Sequence, residues 1–322
     1  MYDNFVGIDI SKYFFDASVE VSGKLRHHQF PSTEKGFEAL LKWCQKWQVG
    51  SAHFCMEATG AFWVEIATTL HEAGFAVSVV NPACIKRFAQ SELKRTKTDK
   101  VDAGIISRFC RAMSPSLWQP ISAELQQLQK LARRVLDLTK IRQQEKNRRS
   151  SKSLDGVTLE SVERTLKFIE AEIVKLKQQI ERLYKKYPQL QHKRELLLSI
   201  PGVGPETANT VISEVPCIEM FSSAKQLVAY AGLAPKEITS GSSIRGRTRI
   251  SKTGRSRLRT VLYLPSVSAR KYNPVIHAFC DRLLKNGKAP MKVVGAAMRK
   301  LLHIIFGVLK SGKPFSADFI VA

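Results

Sequence analysis

Val162, Leu166, Ile169, Ile173, Leu176, Ile180, Leu183 and Tyr187 step along the chain by alternating fours and threes. That spacing averages 3.5 residues, which holds a narrow apolar stripe on one side of an α-helix and fits no strand. The stretch from 162 to 187 is therefore committed to one long helix, and Pro188 ends it. Such a seam needs a partner, either an earlier helix or another protomer, and a stripe this narrow points to contact between protomers. Just upstream, Leu125, Leu128, Leu131, Val135, Leu138 and Ile141 mark one face of another helix. The polar stretch EKNRRSSKSLDG separates the two, with Asp155-Gly156 as a breaker.

The periodicity on either side is different. Residues 5–10 (FVGIDI), 13–21 and 24–30 read as three strands of a meander, with Ser22-Gly23 as a turn. Residues 34–47 have helical periodicity, 52–56 form a short strand, 62–72 a helix stopped by Gly74, and 76–80 a strand. Asn81-Pro82 then opens the next helix. A meander followed by alternating α/β units is the order of an RNase H-like domain. After the seam, LLLSIPGVGPETANTVISEV reads as helix, Pro-Gly-x-Gly and helix, a helix-hairpin-helix pattern whose glycines would let backbone N–H groups approach a phosphate. Residues 236–259 hold eight Lys and Arg against one acid, and 275–309 are helical with an apolar face on Val293, Val294, Ala297 and Leu301. The expected organisation is an α/β domain over 1–118, a coiled-coil segment for joining and oligomerisation over 119–190, and a mainly α domain over 191–322.

Charge narrows the partners. Fifty-one Lys and Arg against 28 Asp and Glu leave a formal charge of +23. Such a surplus repels itself unless an anion compensates it, and nucleic acid is the default anion. An acidic membrane surface is the rival, but no apolar run is long enough to span a bilayer. The best stretch, 293–309, is broken by Arg299, Lys300 and His303, and the start MYDNFVGIDIS lacks the basic region of a signal peptide. Cys44, Cys55, Cys84, Cys110, Cys217 and Cys280 form no CxxC pair, so they read as reduced core thiols of a cytoplasmic protein.

Within this basic chain some acids stand out. In KRTKTDKVDAGIISRFCR, Asp99 and Asp102 are flanked by Lys94, Arg95, Lys97, Lys100, Arg108 and Arg111. Their i, i+3 spacing puts both on one helix face. Asp9 lies mid-strand and shares its face with Gly7 and Ser11, while Glu57 ends the strand 52–56. A carboxylate on a core strand is costly unless paired or bound to metal. Two strand acids and a helix-borne pair can form a cup of oxygen ligands suited to Mg²⁺, and two ions about 4 Å apart would clamp a scissile phosphate. The surrounding cations would then hold the nucleic acid. Salt bridging is the simpler reading of Asp99 and Asp102. A Gly-Ile-Asp strand also opens actin-like ATPases, but Ser11-Lys12-Tyr13 replaces their Gly-rich phosphate turn. Trp63, Trp118 and the other aromatics read mostly as core.

Taken in order, FVGIDISK, CMEATGAFW, VSVVNPACIKRFAQSELKRTKTDKVDA, LLSIPGVG, QLVAYAGLAP, SGSSIRGRTRISKTGRSRLR and GAAMRKLLHIIFGVLKSGKPF resemble the transposases of insertion-sequence family 110, relatives of the Piv/MooV DNA invertases. The resemblance runs from residue 5 to about 316. It implies a RuvC-like DEDD domain joined by a coiled coil to a transposase domain that carries a catalytic serine. Carried over, the metal-binding acids are Asp9, Glu57, Asp99 and Asp102. The serine falls at Ser240-Gly241, with Ser242 and Ser243 beside it. Family members are guided by a structured bridge RNA that pairs with target and donor DNA, and they act as tetramers, so a homo-oligomer from dimer to tetramer is expected here. Their active sites combine the RuvC-like domain of one protomer with the serine domain of another. A serine hydroxyl needs activation, and Arg245, Arg247 and Arg249, with Lys252 and Arg255 beyond them, are placed to bind phosphate and stabilise its developing charge. The leading expectation is an RNA-guided DNA recombinase of the bacterial cytoplasm, nucleoid-associated when acting. The alternatives are a metal-dependent Holliday-junction resolvase without a serine nucleophile and an architectural nucleic-acid-binding protein.

Overall fold

The computed structural model describes residues 2–60, 62–92, 99–151, 155–237, 239–240, 244–245 and 248–317, with 99–100, 239–240 and 244–245 described by their backbone. The chain divides into two compact units, Met1–Pro120 and Ile121–Ala322.

The first unit is α/β. Its elements are β1 (Asn4–Ile10), β2 (Phe14–Val21), β3 (Lys24–Pro31), α1 (Glu34–Lys46), β4 (Ala52–Glu57), α2 (Trp63–Glu72), β5 (Ala76–Val80), α3 (Pro82–Ser91) and α4 (Asp99–Met113). The meander is present, and the sheet order is β3-β2-β1-β4-β5. β1 runs antiparallel to β2 and parallel to β4, and β4 runs parallel to β5. Helix starts follow local chemistry: Thr33 Oγ1 accepts from Gly36 N, and Asn81 Oδ1 accepts from Ala83 N at 2.9 Å ahead of Pro82.

Alternation gives this sheet two unlike faces. One carries Val6, Ile8, Phe15, Ala17, Val19, Phe54, Met56 and Val77, and Phe37, Leu40, Ile66 and Leu70 of α1 and α2 close it into a single apolar core. The other carries Gly7, Asp9, Asp16, Ser18, His53, Cys55 and Ser78, and here α4 packs. Its approach is close. A Cβ on Gly7 would lie 2.1 Å from the Ala103 carbonyl oxygen and 2.3 Å from Ser107 N. Ser107 Oγ donates to the Phe5 carbonyl at 2.7 Å. Several buried polar groups on this face are satisfied locally, whereas the Ser18 hydroxyl is buried without a hydrogen-bond partner. Ser78 Oγ donates towards the Pro115 and Ser116 carbonyls, which leaves it to accept from His53 Nε2 at 2.7 Å.

The second unit is mainly helical. It comprises α5 (Ala123–Arg149), α6 (Gly156–Lys186), α7 (Pro188–Leu198), α8 (Pro205–Glu214), a 3-10 turn (Ile218–Met220) and α9 (Ala224–Tyr230). The short strands β6 (Pro235–Lys236), β7 (Thr239–Ser240), β8 (Ile244–Arg245) and β9 (Arg249–Ile250) follow. Then come α10 (Ser256–Val261), α11 (Tyr263–Tyr272), α12 (Pro274–Lys285) and α13 (Pro290–Ser311).

The heptad seam finds its partner inside the chain, on α5. Ile169 and Ile173 bury against Leu138 in a cluster of their own. Ile180 and Leu183 join Leu128 and Val135 in the main core, which extends through α7, α8, α9 and α13. The expected breaker Asp155-Gly156 instead starts α6: Asp155 Oδ1 accepts from Thr158 N at 2.8 Å, and the basic stretch before it stays helical to Arg149. Ile141, expected on the buried face of α5, is 37% exposed. The first glycine of Pro-Gly-x-Gly serves packing: a Cβ on Gly202 would lie 2.7 Å from the Ala269 Cβ of α11. The thiols are not uniformly core, since Cys84 is exposed and Cys217 half-buried. No helix of the described residues is long and apolar enough to cross a membrane.

Two stability tests follow. The tryptophans Trp43, Trp47, Trp63 and Trp118 all lie in the first unit, so indole fluorescence reports its unfolding. Gly7→Ala is expected to destabilise that unit by about 1–3 kcal/mol, read as a lower urea midpoint by fluorescence. Ile173 is 3% exposed, and Ile173→Ala is expected to cost about 2–5 kcal/mol. Its loss should appear in the helical circular-dichroism transition, with the fluorescence midpoint moving much less.

Candidate active site

The acids meet at one end of the sheet. β1 and β4 stay in register to Ile8↔Met56, so the next residues on these neighbouring strands are Asp9 and Glu57. Across β2 and β3 the same row continues as Asp9↔Asp16 and Asp16↔Gln29. Paired residues share a face, which makes the row Gln29, Asp16, Asp9, Glu57. Asp9 and Glu57 are half-buried at the last turns of their strands.

Helix α4 brings the second pair. Ser107 touches Phe5, and the span from Ala103 to Ser107 covers Gly7, so α4 runs against the direction of β1. Asp9 lies one pleat repeat beyond Gly7, about 7 Å. A turn of α4 is about 5 Å, so the turn ahead of Ala103, with the Asp99 backbone and half-buried Asp102, comes level with Asp9. The two strand acids and the start of α4 therefore converge. Among the described residues no three carboxylate, imidazole or thiol groups stand at ligand spacing, and the Asp99 side chain lies outside them. The donor chemistry is nonetheless one-sided. Asp9, Glu57 and Asp102 offer only carboxylate oxygens, the set a hard divalent cation such as Mg²⁺ prefers.

Asp16, absent from the expected acid set, carries in FFDASVEV the same signal as Asp9, an acid inside an apolar strand. It is 5% exposed, and both oxygens are engaged. His27 Nε2 lies 2.6 Å from Oδ1, and Gln29 Nε2 donates to Oδ2 at 3.0 Å.

Two of the flanking cations are committed elsewhere. Arg108 forks onto Glu92 at 2.7–3.2 Å, and that carboxylate raises the guanidinium pKa further. Arg111 pairs with Glu20 at 3.0 Å. Lys94, Arg95 and Lys97 lie outside the described residues, and Lys100 is placed by its backbone in α4.

The serine segment belongs to the second unit and is an arm. Pro235↔Ile250 and Lys236↔Arg249 pair at its base, and Thr239↔Arg245 and Ser240↔Ile244 pair further out. Ser240↔Ile244 is the last described pair of this segment, and Gly241, Ser242, Ser243 and Arg247 lie outside the described residues. Arg245 is placed by its backbone, while Arg249 and Lys252 are exposed.

The base of the arm is bolted down. A Cβ on Gly254 would lie 2.3 Å from the Tyr230 carbonyl oxygen, and one on Gly232 would lie 2.5 Å from Arg259 Nη1. Arg259 Nη1 donates to the carbonyls of Ala231 and Lys252 at 3.1 and 3.2 Å. Arg255, exposed and expected on phosphate, gives its Nε to Tyr230 Oη at 2.9 Å. Tyr230 Oη donates to the Glu214 carbonyl, and the buried Glu214 carboxylate takes a fork from Arg133 at 2.7 and 3.1 Å. AYAGLAP and SKTGRSRLR, far apart in sequence, thereby form one seat.

Comparison with known proteins places these features. Residues 6–158 match a family model of the IS110 DEDD type described as "Transposase". Residues 194–281 match one described as "Transposase IS116/IS110/IS902 family". The chain is 34% identical over 98% of both lengths to the "Pilin gene-inverting protein" of Moraxella bovis, and equally to that of Moraxella lacunata. It is 26% identical to the "Probable family 20 transposase" of Pseudomonas aeruginosa over 80% of this chain and 81% of that protein. With full-length likeness at that level and both family regions in order, the chain belongs to the IS110 family of transposases and is an enzyme of DNA recombination.

Proposed function

We propose that this transposase is an RNA-guided DNA recombinase that cuts one strand, holds its end on Ser240 and passes it to a new partner. The carrying observation is the register that sets Asp9 beside Glu57 while α4, seated on Gly7, delivers Asp102 and Asp99 to the same level. The sheet order β3-β2-β1-β4-β5 supports an RNase H-like, RuvC-like reading of the first unit. Asp9, Glu57, Asp99 and Asp102 hold Mg²⁺, which when bound polarises the scissile phosphate and stabilises the leaving oxygen.

The residues divide the remaining work. Ser240 Oγ attacks the phosphorus and yields a serine–phosphate ester and a free sugar hydroxyl, so the bond energy is kept for rejoining. Arg245, Arg247 and Arg249 neutralise the charge that grows on the phosphoryl oxygens, and Lys252 and Arg255 anchor the strand beyond. The rigid seat at Gly232 and Gly254 gives the arm a fixed root. Lys94, Arg95, Lys97 and Lys100 hold nucleic acid beside the acids. The α7–α8 hairpin, with Gly204 capping α8, acts as a helix-hairpin-helix contact to backbone phosphate. Sequence information comes from a structured bridge RNA that pairs with target and donor DNA, as the +23 charge accommodates. The functional divisions are 1–118, 119–190 and 191–322, and the active assembly is a dimer to tetramer.

Two outcomes test this reading. Asp9→Asn, Glu57→Gln, Asp99→Asn and Asp102→Asn should each abolish strand transfer while RNA and DNA affinity, measured by gel shift, stay near wild type. Full recombination by Asp102→Asn in magnesium would remove that residue from the site. Ser240→Ala should lose both cleavage and the denaturant-resistant protein–DNA adduct, and peptide mapping of the wild-type adduct should find the nucleotide on Ser240. A label on Ser242 or Ser243 would move the nucleophile. Clean hydrolysis by the alanine variant, with no adduct in the wild type, would favour a metal-dependent junction resolvase.

A further inference from the structure

A cleft of about 410 Å³ in the second unit belongs to none of the features above. It runs along α13, where Lys300, His303, Ile304, Gly307, Val308 and Ser311 recur at threes and fours and so share one side of the helix. From Lys300 to Ser311 that side spans about 16 Å. The rest of the lining is residues 313–316, after Gly312 ends the helix in the left-handed conformation. This returning segment is fixed in place. The Phe315 N–H donates to Ser199 Oγ at 2.8 Å, at the end of α7 and two residues before Pro201 of the hairpin.

Its chemistry is of two kinds. The charge is all of one sign. Lys300 lines the cleft beside half-buried His303. Burial, and then the charges of Arg299, Lys300 and Lys225, hold the His303 pKa below the usual histidine range, so the imidazole is neutral and can hydrogen-bond a base edge. Among the described residues no ion pair engages Arg299, Lys300 or Lys225, and the buried Arg299 Nε has no hydrogen-bond partner. Half-buried cations without acids are costly until an anion reaches them. The floor, by contrast, is apolar: Ile304 and Val308 are buried, and Phe315 adds an aromatic surface. Space stands open over Gly307, where a Cβ would meet nothing within 4 Å. Glycine is a poor helix former, and no close packing calls for it here. An apolar, partly aromatic floor under a cationic rim matches a nucleotide, whose flat base accepts any aromatic face and whose phosphate needs a cation. The volume is in the range of small-ligand sites, about 300–1,000 Å³. Only an unpaired nucleotide can leave its stack to enter.

We propose that this cleft holds a single unpaired nucleotide of the bound nucleic acid, with its base over Gly307 and against Phe315 and its phosphate on Lys300. The inference rests on the chain being an enzyme of DNA recombination and uses neither the acid cup nor Ser240. The probes are hairpins with one bulged 5-iodouracil nucleotide, made as DNA and as RNA, beside fully paired controls, all with the full-length protein. Fluorescence anisotropy should show the bulged form bound about tenfold more tightly. Irradiation should cross-link the bulged base to Phe315 or His303. Gly307→Leu fills the open space and should erase both the preference and the cross-link while affinity for the paired hairpin holds. Its urea midpoint by circular dichroism should not fall, since leucine is the better helix former. Lys300→Gln should weaken the bulged probe more than the paired one. Lys292→Gln removes the same charge from an exposed site on α13 outside the cleft and should weaken both alike. A preference with either the DNA or the RNA probe upholds the site and identifies the strand that enters it, and a preference with neither overturns it. Cross-links elsewhere, with the preference intact in Gly307→Leu, would also overturn it. If residues 318–322 have to be removed before any preference appears, the cleft belongs to the end of this chain and the proposal falls.

Discussion

A single missing side chain governs the first unit. With no Cβ on Gly7, the backbone of α4 comes down onto β1 at a distance no other residue would permit. From that contact the rest follows. α4 covers a face too polar to be left half-dry, Ser107 caps the Phe5 carbonyl, and Cys110 closes against Cys55 in a small core of its own. The helix start is carried to the end of the sheet where Asp9 and Glu57 stand. Glycine is destabilising in a strand interior, so its presence here is read as the requirement of a helix that must lie close.

The two faces of the sheet divide structure from chemistry. The α1/α2 side is an ordinary apolar core and holds the strands in register. The α4 side gives up apolar burial for Asp16, Ser18, His53, Ser78 and Ser107. Buried polar groups stabilise little, but they are costly when misplaced, which fixes one arrangement against its neighbours. The second unit reaches rigidity by other means. There the seat of the serine arm is built from backbone carbonyls, two close glycines and arginine forks, with hydrophobic packing beneath.

Much of this was legible in the sequence, and what was missed has specific causes. Periodicity located the meander, the alternating units and the long helices, because each buries one regular stripe. The acids were legible because a charge inside an apolar run is expensive and draws the eye. Asp16 carried the same signal and became conspicuous only through its register with Asp9. The seam packs on α5 and not, as expected, on another protomer; a narrow stripe says how wide its partner is, not which chain the partner is on. Asp155-Gly156 reads as an interruption, though an Asp three residues ahead of a threonine N–H is also a cap. The seat of the arm could not be read at all. It joins Tyr230 to Arg255 and Glu214 to Arg133, and no local pattern encodes contacts between segments that distant.

The arm's two ladder pieces are out of step. From Lys236↔Arg249 to Thr239↔Arg245 the outgoing chain advances three residues while the returning chain uses four. The offset between partners therefore differs by one between the two described ladders. A one-residue insertion or deletion between them on one side alone would change that offset, whereas a matched change on both sides would keep it, so the arm can change its length only in matched steps.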